Sequence, residues 1–287
     1  VGPEVNTLTR ISPSQYGRLL SCPYRTLLER SPEGKAILAQ PGKGGGAAGA
    51  MGNIVHKVLE AANRGKVQTV ASFDLFWQKE LVAQEAKLTA EGRSQLVPLA
   101  YRARGYAVTK LLLKCLLLNG DIPWPPVVPE PGLPLGPEQT LTDSSNTIRG
   151  QVDLVRRGPT GRLEIVDYKT GRIFHFNAAD EEAPEIKREF VWQLRLYAAL
   201  LHERTGQWPE RLLVVDLAGG EHPVSFTQDQ CLELLAATRR LLTEINVAVD
   251  RSEAESLARP SAENCGNCKM QQLCEPHANW MSMEDGT

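Results

Sequence analysis

The 287-residue sequence lacks any apolar run long enough to span a bilayer; the longest candidate, Leu111 to Leu118, is interrupted by Lys114. No membrane association is therefore expected. No amino-terminal stretch reads as a signal peptide, and a cytoplasmic location is the expectation. Positive charge is not in excess either. With a formal net charge of -2, any affinity for nucleic acid has to come from a local patch. The run Pro41-Gly42-Lys43-Gly44-Gly45-Gly46 lacks the Gly-Lys-Ser/Thr ending and the preceding strand of a phosphate-binding loop, so it reads as a flexible loop and ATPase activity is not expected. Cysteine is sparse. Six thiols without a secretory signal point to reduced cysteines or a metal site rather than to disulfides.

What remains is the composition of a soluble globular protein, hydrophobic 42% and charged 23%, with one compound domain over residues 1–287 as the simplest organisation. Residues 1–137 read as a helical part, 138–227 as a sheet core, and 228–287 as a long helix followed by a cysteine group. Ser12-Pro13 opens a helix that Pro23 stops or restarts. Met51 to Glu60 has helical spacing, with His56 and Glu60 one turn apart. Phe73 to Asn119 also reads as helical, with Trp77, Leu81, Leu88, Leu96, Leu99 and Tyr106 recurring on one side. The proline-dense stretch Asp121 to Pro137 predicts an extended connection. Strands are predicted at 138–142, 147–155, 163–168, 211–217 and 222–226, and helices at 188–204 and 228–249, the latter capped by Thr227. Cys115 and Cys231 fall in apolar helical runs and read as core residues.

The stretch with most chemistry is the hairpin Gly150-Gln151-Val152-Asp153 and Glu164-Ile165-Val166-Asp167-Tyr168-Lys169. Period-2 alternation places Asp167 and Lys169 on one face of their strand, with Asp153 on the neighbouring one. Two carboxylates suit a hard cation such as Mg²⁺, whose bound water can attack phosphorus, and an adjacent ammonium can neutralise charge on a phosphate. An acid at a strand end is more often a turn former, so the pair needs partners from elsewhere. Candidates are His56 upstream, and Gln193 with Tyr197 one turn apart on a downstream helix. Arg149, Arg156, Arg157, Arg162 and Arg172 flank the hairpin as candidate phosphate contacts, or as merely solvated cations.

Near the carboxyl end, Cys265-x₂-Cys268-x₅-Cys274 places three thiols in a short loop, and Cys22 before Pro23 is the best fourth. A [4Fe–4S] cluster fits four thiolates so arranged, with zinc as the alternative. Either would clamp the two ends of the chain together.

Taken in order, Cys22-Pro23, Gly52-x₃-His56-x₂-Leu59-Glu60, Gly150-x₂-Asp153, Asp167-Tyr168-Lys169-Thr170-Gly171, Gln193-x₃-Tyr197 and the terminal cysteines make a chain that resembles the PD-(D/E)xK nuclease superfamily, in its RecB/AddB-like branch with an iron–sulfur cluster. It is also similar to the CRISPR spacer-acquisition nucleases, which usually carry Glu where Asp167 stands. The resemblance implies an α/β fold with a restriction-endonuclease-like mixed sheet flanked by helices, its terminal segments joined by a metal cluster. It further implies metal ligation by His56, Asp153, Asp167 and the Tyr168 carbonyl, with Lys169 as catalytic lysine and Gln193 and Tyr197 as supporting residues. Cys22, Cys265, Cys268 and Cys274 would hold the cluster. The expected activity is Mg²⁺- or Mn²⁺-dependent hydrolysis of single-stranded or end-bearing DNA, more in exonuclease than in endonuclease mode, in repair, recombination or defence. Helicase motifs are lacking, so the chain would be a stand-alone nuclease or a subunit whose motor is another chain. The alternative reading is a DNA-binding or scaffolding subunit of a helicase–nuclease complex.

Overall fold

The computed structural model describes residues 3–40, 46–118, 126–175 and 184–284. The glycine-rich run at 41–45, Asn119 and the first part of the proline-dense connection lie outside the described residues. Three short helices, α1 (Tyr16–Ser21), α2 (Pro23–Arg30) and α3 (Pro32–Ala39), precede α4 (Ala47–Asn63), α5 (Val70–Ala90), α6 (Leu99–Arg102) and α7 (Tyr106–Leu117). Then come β1 (Gly136–Thr142), β2 (Arg149–Arg157), β3 (Leu163–Lys169), β4 (Phe174–His175), β5 (Glu185–Ile186) and α8 (Arg188–Thr205). The chain continues through β6 (Arg211–Asp216), β7 (Glu221–Pro223), α9 (Gln228–Asp250), α10 (Ala262–Cys265) and α11 (Glu275–Glu284).

Five strands form a mixed sheet in the order β1-β2-β3-β6-β7, antiparallel except for the parallel pair β3 and β6 that α8 connects. Period-2 alternation sends each strand's apolar residues to two separate cores. Ile165, Leu212 and Val214 pack with Leu194 and Leu200 of α8 and Leu235, Leu242 and Ile245 of α9. On the opposite face, Val166, Tyr168, Leu213 and Val215 meet Ile54, Val55 and Val58 of α4, Phe73 and Trp77 of α5, and Leu113 and Leu117 of α7. A helix–sheet–helix sandwich results, the expected α/β fold with a mixed sheet flanked by helices. Among the described residues, no helix is long and apolar enough to cross a membrane.

Several expected elements end elsewhere. The helical stretch expected from Phe73 to Asn119 is divided into three α-helices over its described residues. Gly92 at φ 70 closes the turn after α5, Pro98 opens α6 and Gly105 at φ 79 precedes α7. The strand predicted from Thr147 begins at Arg149, because Asp143 Oδ1 accepts the amides of Thr147 and Ile148, both at 2.8 Å, and folds them into a turn. β7 ends at Pro223, short of the expected Phe226, although the Val224 amide still donates to the Leu212 carbonyl at 2.8 Å. Cys231 is buried as expected, whereas Cys115 is exposed on the outer side of α7.

Candidate functional site

The two acids of the hairpin sit where the sheet's regular pairing is interrupted. β1 pairs Pro137 with Leu154 and Gln139 with Val152, and β2 pairs Leu154 with Val166, leaving Asp153 outside both ladders. Val152 packs in one core and Leu154 in the other, so the alternation of β2 breaks at Asp153. The carboxylate fills the gap in the hydrogen bonding: Asp153 Oδ2 accepts the Tyr168 amide at 2.7 Å. Its other oxygen, Oδ1, lies 3.3 Å from His56 Nδ1, so α4 closes the site from the second core's side.

Asp167 is 2% exposed and engages α8 and its own strand. Gln193 Nε2 donates to Asp167 Oδ1 at 3.0 Å, Lys169 Nζ stands 2.6 Å from Asp167 Oδ2, and Lys169 Nζ also donates to Gln193 Oε1 at 3.4 Å. The Lys169 ammonium lies 4.6 Å from the centre of the Phe190 ring, which confines it from the helix side. Tyr197, one turn beyond Gln193, donates its hydroxyl to the Gln151 carbonyl at 2.8 Å. Gly150 makes that approach possible. A Cβ there would stand 2.6 Å from Pro13 Cδ and 2.8 Å from Tyr197 Cε1.

The electrostatics follow from burial of like charges. Burial and then the neighbouring Asp153 carboxylate push Asp167 up to about 6, with Lys169 opposing them. For His56, burial disfavours the imidazolium, but contact with Asp153 outweighs it and raises the pKa above its ordinary value. Such a centre attracts a cation. His56, Asp153, Asp167, Lys169, Gln193 and Tyr197 thus converge where the carboxyl end of β3 passes the middle of β2.

Glu138, which the sequence marks only as the start of an expected strand, stands opposite Asp153 across the β1–β2 pair, and one ligand atom each from His56, Glu138 and Asp153 lies within 4.8 Å of the others. Pairing of 137 with 154 and of 139 with 152 sets 138 opposite 153, a register that the strand pattern alone does not encode. These three residues line an open cleft of about 540 Å³ with Lys57 of α4, Gln84 of α5 and Gln151 of β2.

Three of the five flanking arginines do not serve the site. Arg156 pairs with Glu164 at 2.9 Å and Glu221 at 2.6 Å, and Arg157 pairs with Glu130 at 2.5 Å, all toward the turn end of the hairpin. Arg162, in the turn, approaches Glu210 at 3.9 Å. Strand rise puts Arg157 about 13 Å along β2 from Asp153. Arg149 and Arg172 are exposed, Arg149 as many positions before Asp153 on β2 as Arg157 is after it.

Cys22, Cys265, Cys268 and Cys274 line one small cavity with Arg25, Met270 and His277. Among the described residues, no three of these thiols bring their sulfurs within 4.8 Å of one another. Burial pushes the Cys274 thiol up to about 11, and its cysteine neighbours add to that. The flanking chain is joined independently of the sulfurs: Asn264 Nδ2 donates to the Ser21 carbonyl at 3.1 Å, and Arg259 Nη1 donates to the Leu20 carbonyl.

Comparison with known proteins gives a family profile match over residues 10–275, described as the PD-(D/E)XK nuclease superfamily. No curated protein matches. Among solved structures, one titled "Crystal structure of SSO0001" is similar at 16% identity, covering 78% of this chain and 85% of that one, with a TM-score of 0.32.

Proposed function

Because the chain belongs to the PD-(D/E)XK nuclease superfamily, we propose that it is a Mg²⁺- or Mn²⁺-dependent deoxyribonuclease of the RecB/AddB-like branch. The observation that carries this reading is the joint placement of Asp153 against His56 and of Asp167 against Lys169 at one interruption of the sheet. His56, Asp153, Asp167 and the Tyr168 carbonyl would hold the cation, for which two carboxylates and a neutral imidazole are suitable donors. A bound divalent cation would acidify a water and offset charge on the scissile phosphate. Lys169, confined by Phe190 and Gln193, presents its ammonium beside the same phosphate. Gln193 fixes the Asp167 carboxylate, and Tyr197 fixes β2 through the Gln151 carbonyl.

Single-stranded or end-bearing DNA is the proposed substrate, cut in exonuclease mode, with any motor on a separate helicase chain. Cys22, Cys265, Cys268 and Cys274 would hold a [4Fe–4S] cluster in the cavity that they line, with zinc as the alternative. Tetrahedral zinc needs sulfurs about 3.8 Å apart, as Zn–S bonds near 2.3 Å dictate, whereas each thiolate of a cubane binds a different iron and stands farther off. Repair, recombination and defence are the pathways in which such an activity serves.

End-labelled single strands of both polarities, incubated with Mg²⁺, Mn²⁺ or EDTA, test the proposal. Metal-dependent shortening by the wild type and none by Asp167→Ala is the expected result. DNA binding without cleavage under every metal condition would favour the scaffolding-subunit reading instead.

A further inference from the structure

The geometry points to Glu138 as an additional ligand of the catalytic cation, one that none of the chain's recognisable motifs contains. The inference rests on the metal-dependent reading above. Glu138 is a non-glycine residue at φ 57, a left-handed backbone inside a strand that costs on the order of 1 kcal/mol or more. The hairpin holds it there. Pairing is kept on either side, at Pro137 with Leu154 and at Gln139 with Val152, while Glu138 and Asp153 both drop out of the ladder.

The consequence is a carboxylate delivered from β1 to the same point that β2 and α4 reach. One donor atom from each of His56, Glu138 and Asp153 falls within a 4.8 Å group. Two ligands of an octahedral cation with bonds of about 2.1 Å stand about 3 Å apart when adjacent and about 4.2 Å apart when opposed. The His56 Nδ1 to Asp153 Oδ1 separation of 3.3 Å is close to the adjacent value.

The rest of the site shows why a further carboxylate matters. Both oxygens of Asp167 face protein donors, Gln193 and Lys169, and Asp153 Oδ2 already accepts the Tyr168 amide. Glu138 hydrogen-bonds to none of them and borders the open cleft. Its neighbour Glu60 differs: it is tied to Lys57 at 2.8 Å and Arg64 at 3.0 Å. With imidazole beside carboxylates, the set favours Mn²⁺ over Mg²⁺.

Calorimetric titration of the purified full chain with Mn²⁺, with free Mn²⁺ followed by electron paramagnetic resonance, reads the role without any cleavage assay. Glu138→Gln is expected to weaken Mn²⁺ binding by about tenfold or more, Glu138→Asp by less, and Glu60→Gln not at all. Apo-protein melting of Glu138→Gln should match or exceed the wild type, separating ligation from folding. Wild-type Mn²⁺ affinity in a folded Glu138→Gln overturns the inference while leaving the nuclease reading standing; a wild type that binds no divalent cation overturns both.

Discussion

Gln193 of α8 donates from Nε2 to Asp167 Oδ1 of β3 at 3.0 Å and accepts from Lys169 through Oε1 at 3.4 Å, so one amide orients both the buried acid and its lysine. Replacing it with Leu leaves Asp167 Oδ1 without its donor in a site that water barely reaches. Such a loss costs about 1–3 kcal/mol of stability, and second partners of metal-site acids typically cost 10–100-fold in activity. Steady-state cleavage and urea unfolding of Gln193→Leu are expected to fall in those ranges, with Gln193→Glu no better, because a third carboxylate would face Asp167.

Lys169 makes a separate prediction. Its ammonium has two protein contacts, Asp167 and Gln193, and one aromatic face, Phe190, which leaves donor capacity for a phosphate. Lys169→Met should lower single-turnover cleavage by about 10²–10³, the usual loss for one preorganised electrostatic group. DNA binding in Ca²⁺, followed by fluorescence anisotropy, should change by less than tenfold. A larger loss in binding than in the cleavage step would reassign Lys169 to substrate capture.

Gly150 tests packing rather than chemistry. A methyl group at this position would meet Pro13 Cδ at 2.6 Å and the Tyr197 ring at 2.8 Å, neither of which is the loose end of a flexible chain. Overpacking of this kind costs about 1–3 kcal/mol. Gly150→Ala is expected to lower Tm by about 2–10 °C, and to lower activity as well, because Tyr197 holds the Gln151 carbonyl two residues from Asp153.

Much of this arrangement is written in local pattern. β3 and α8 follow from apolar periodicity, and Thr227 caps α9 as its position before Gln228 and Gln230 implies. The faces of β3 also follow, since alternation alone sets Asp167 and Lys169 apart from Val166 and Tyr168. Glu138 is different. Its approach depends on a left-handed residue and on a break shared by two ladders, which periodicity does not encode. Arg156 and Arg157 mislead for a related reason: their partners Glu221 and Glu130 lie 65 and 27 positions away, and only the folded sheet brings them together.

Acid lability should centre in part on Asp143. Burial pushes this carboxyl up, but hydrogen bonds from Ser145, the Ile148 amide, Arg239 and the Thr147 amide outweigh it and hold its pKa below the ordinary value. A depressed folded-state pKa means that Asp143 stabilises the fold above the unfolded carboxyl's range, and that this contribution is lost as pH falls through the folded value. Wild-type urea midpoints should therefore decline below about pH 4. Asp143→Asn should be about 1–3 kcal/mol less stable at pH 7 and show a flatter decline on acidification.

The cysteine cavity yields the last prediction. Ser21 and Asn264, immediately beside Cys22 and Cys265, are 243 positions apart and already hydrogen-bonded, so a cluster here would lock a closure that the protein makes on its own. By the loop-entropy relation for cross-links, a closure of that span is worth about 5 kcal/mol, and the pre-existing hydrogen bonds lower the strain of forming it. Anaerobically purified wild type should contain iron and sulfide and absorb broadly in the visible range; Cys22→Ser should lose most of both and melt at lower temperature. Its Mn²⁺ affinity should change far less, because His56, Glu138 and Asp153 lie on α4, β1 and β2, elements that contain none of the four thiols. One equivalent of zinc without iron would replace the cluster assignment, and the same melting comparison would then measure a zinc staple.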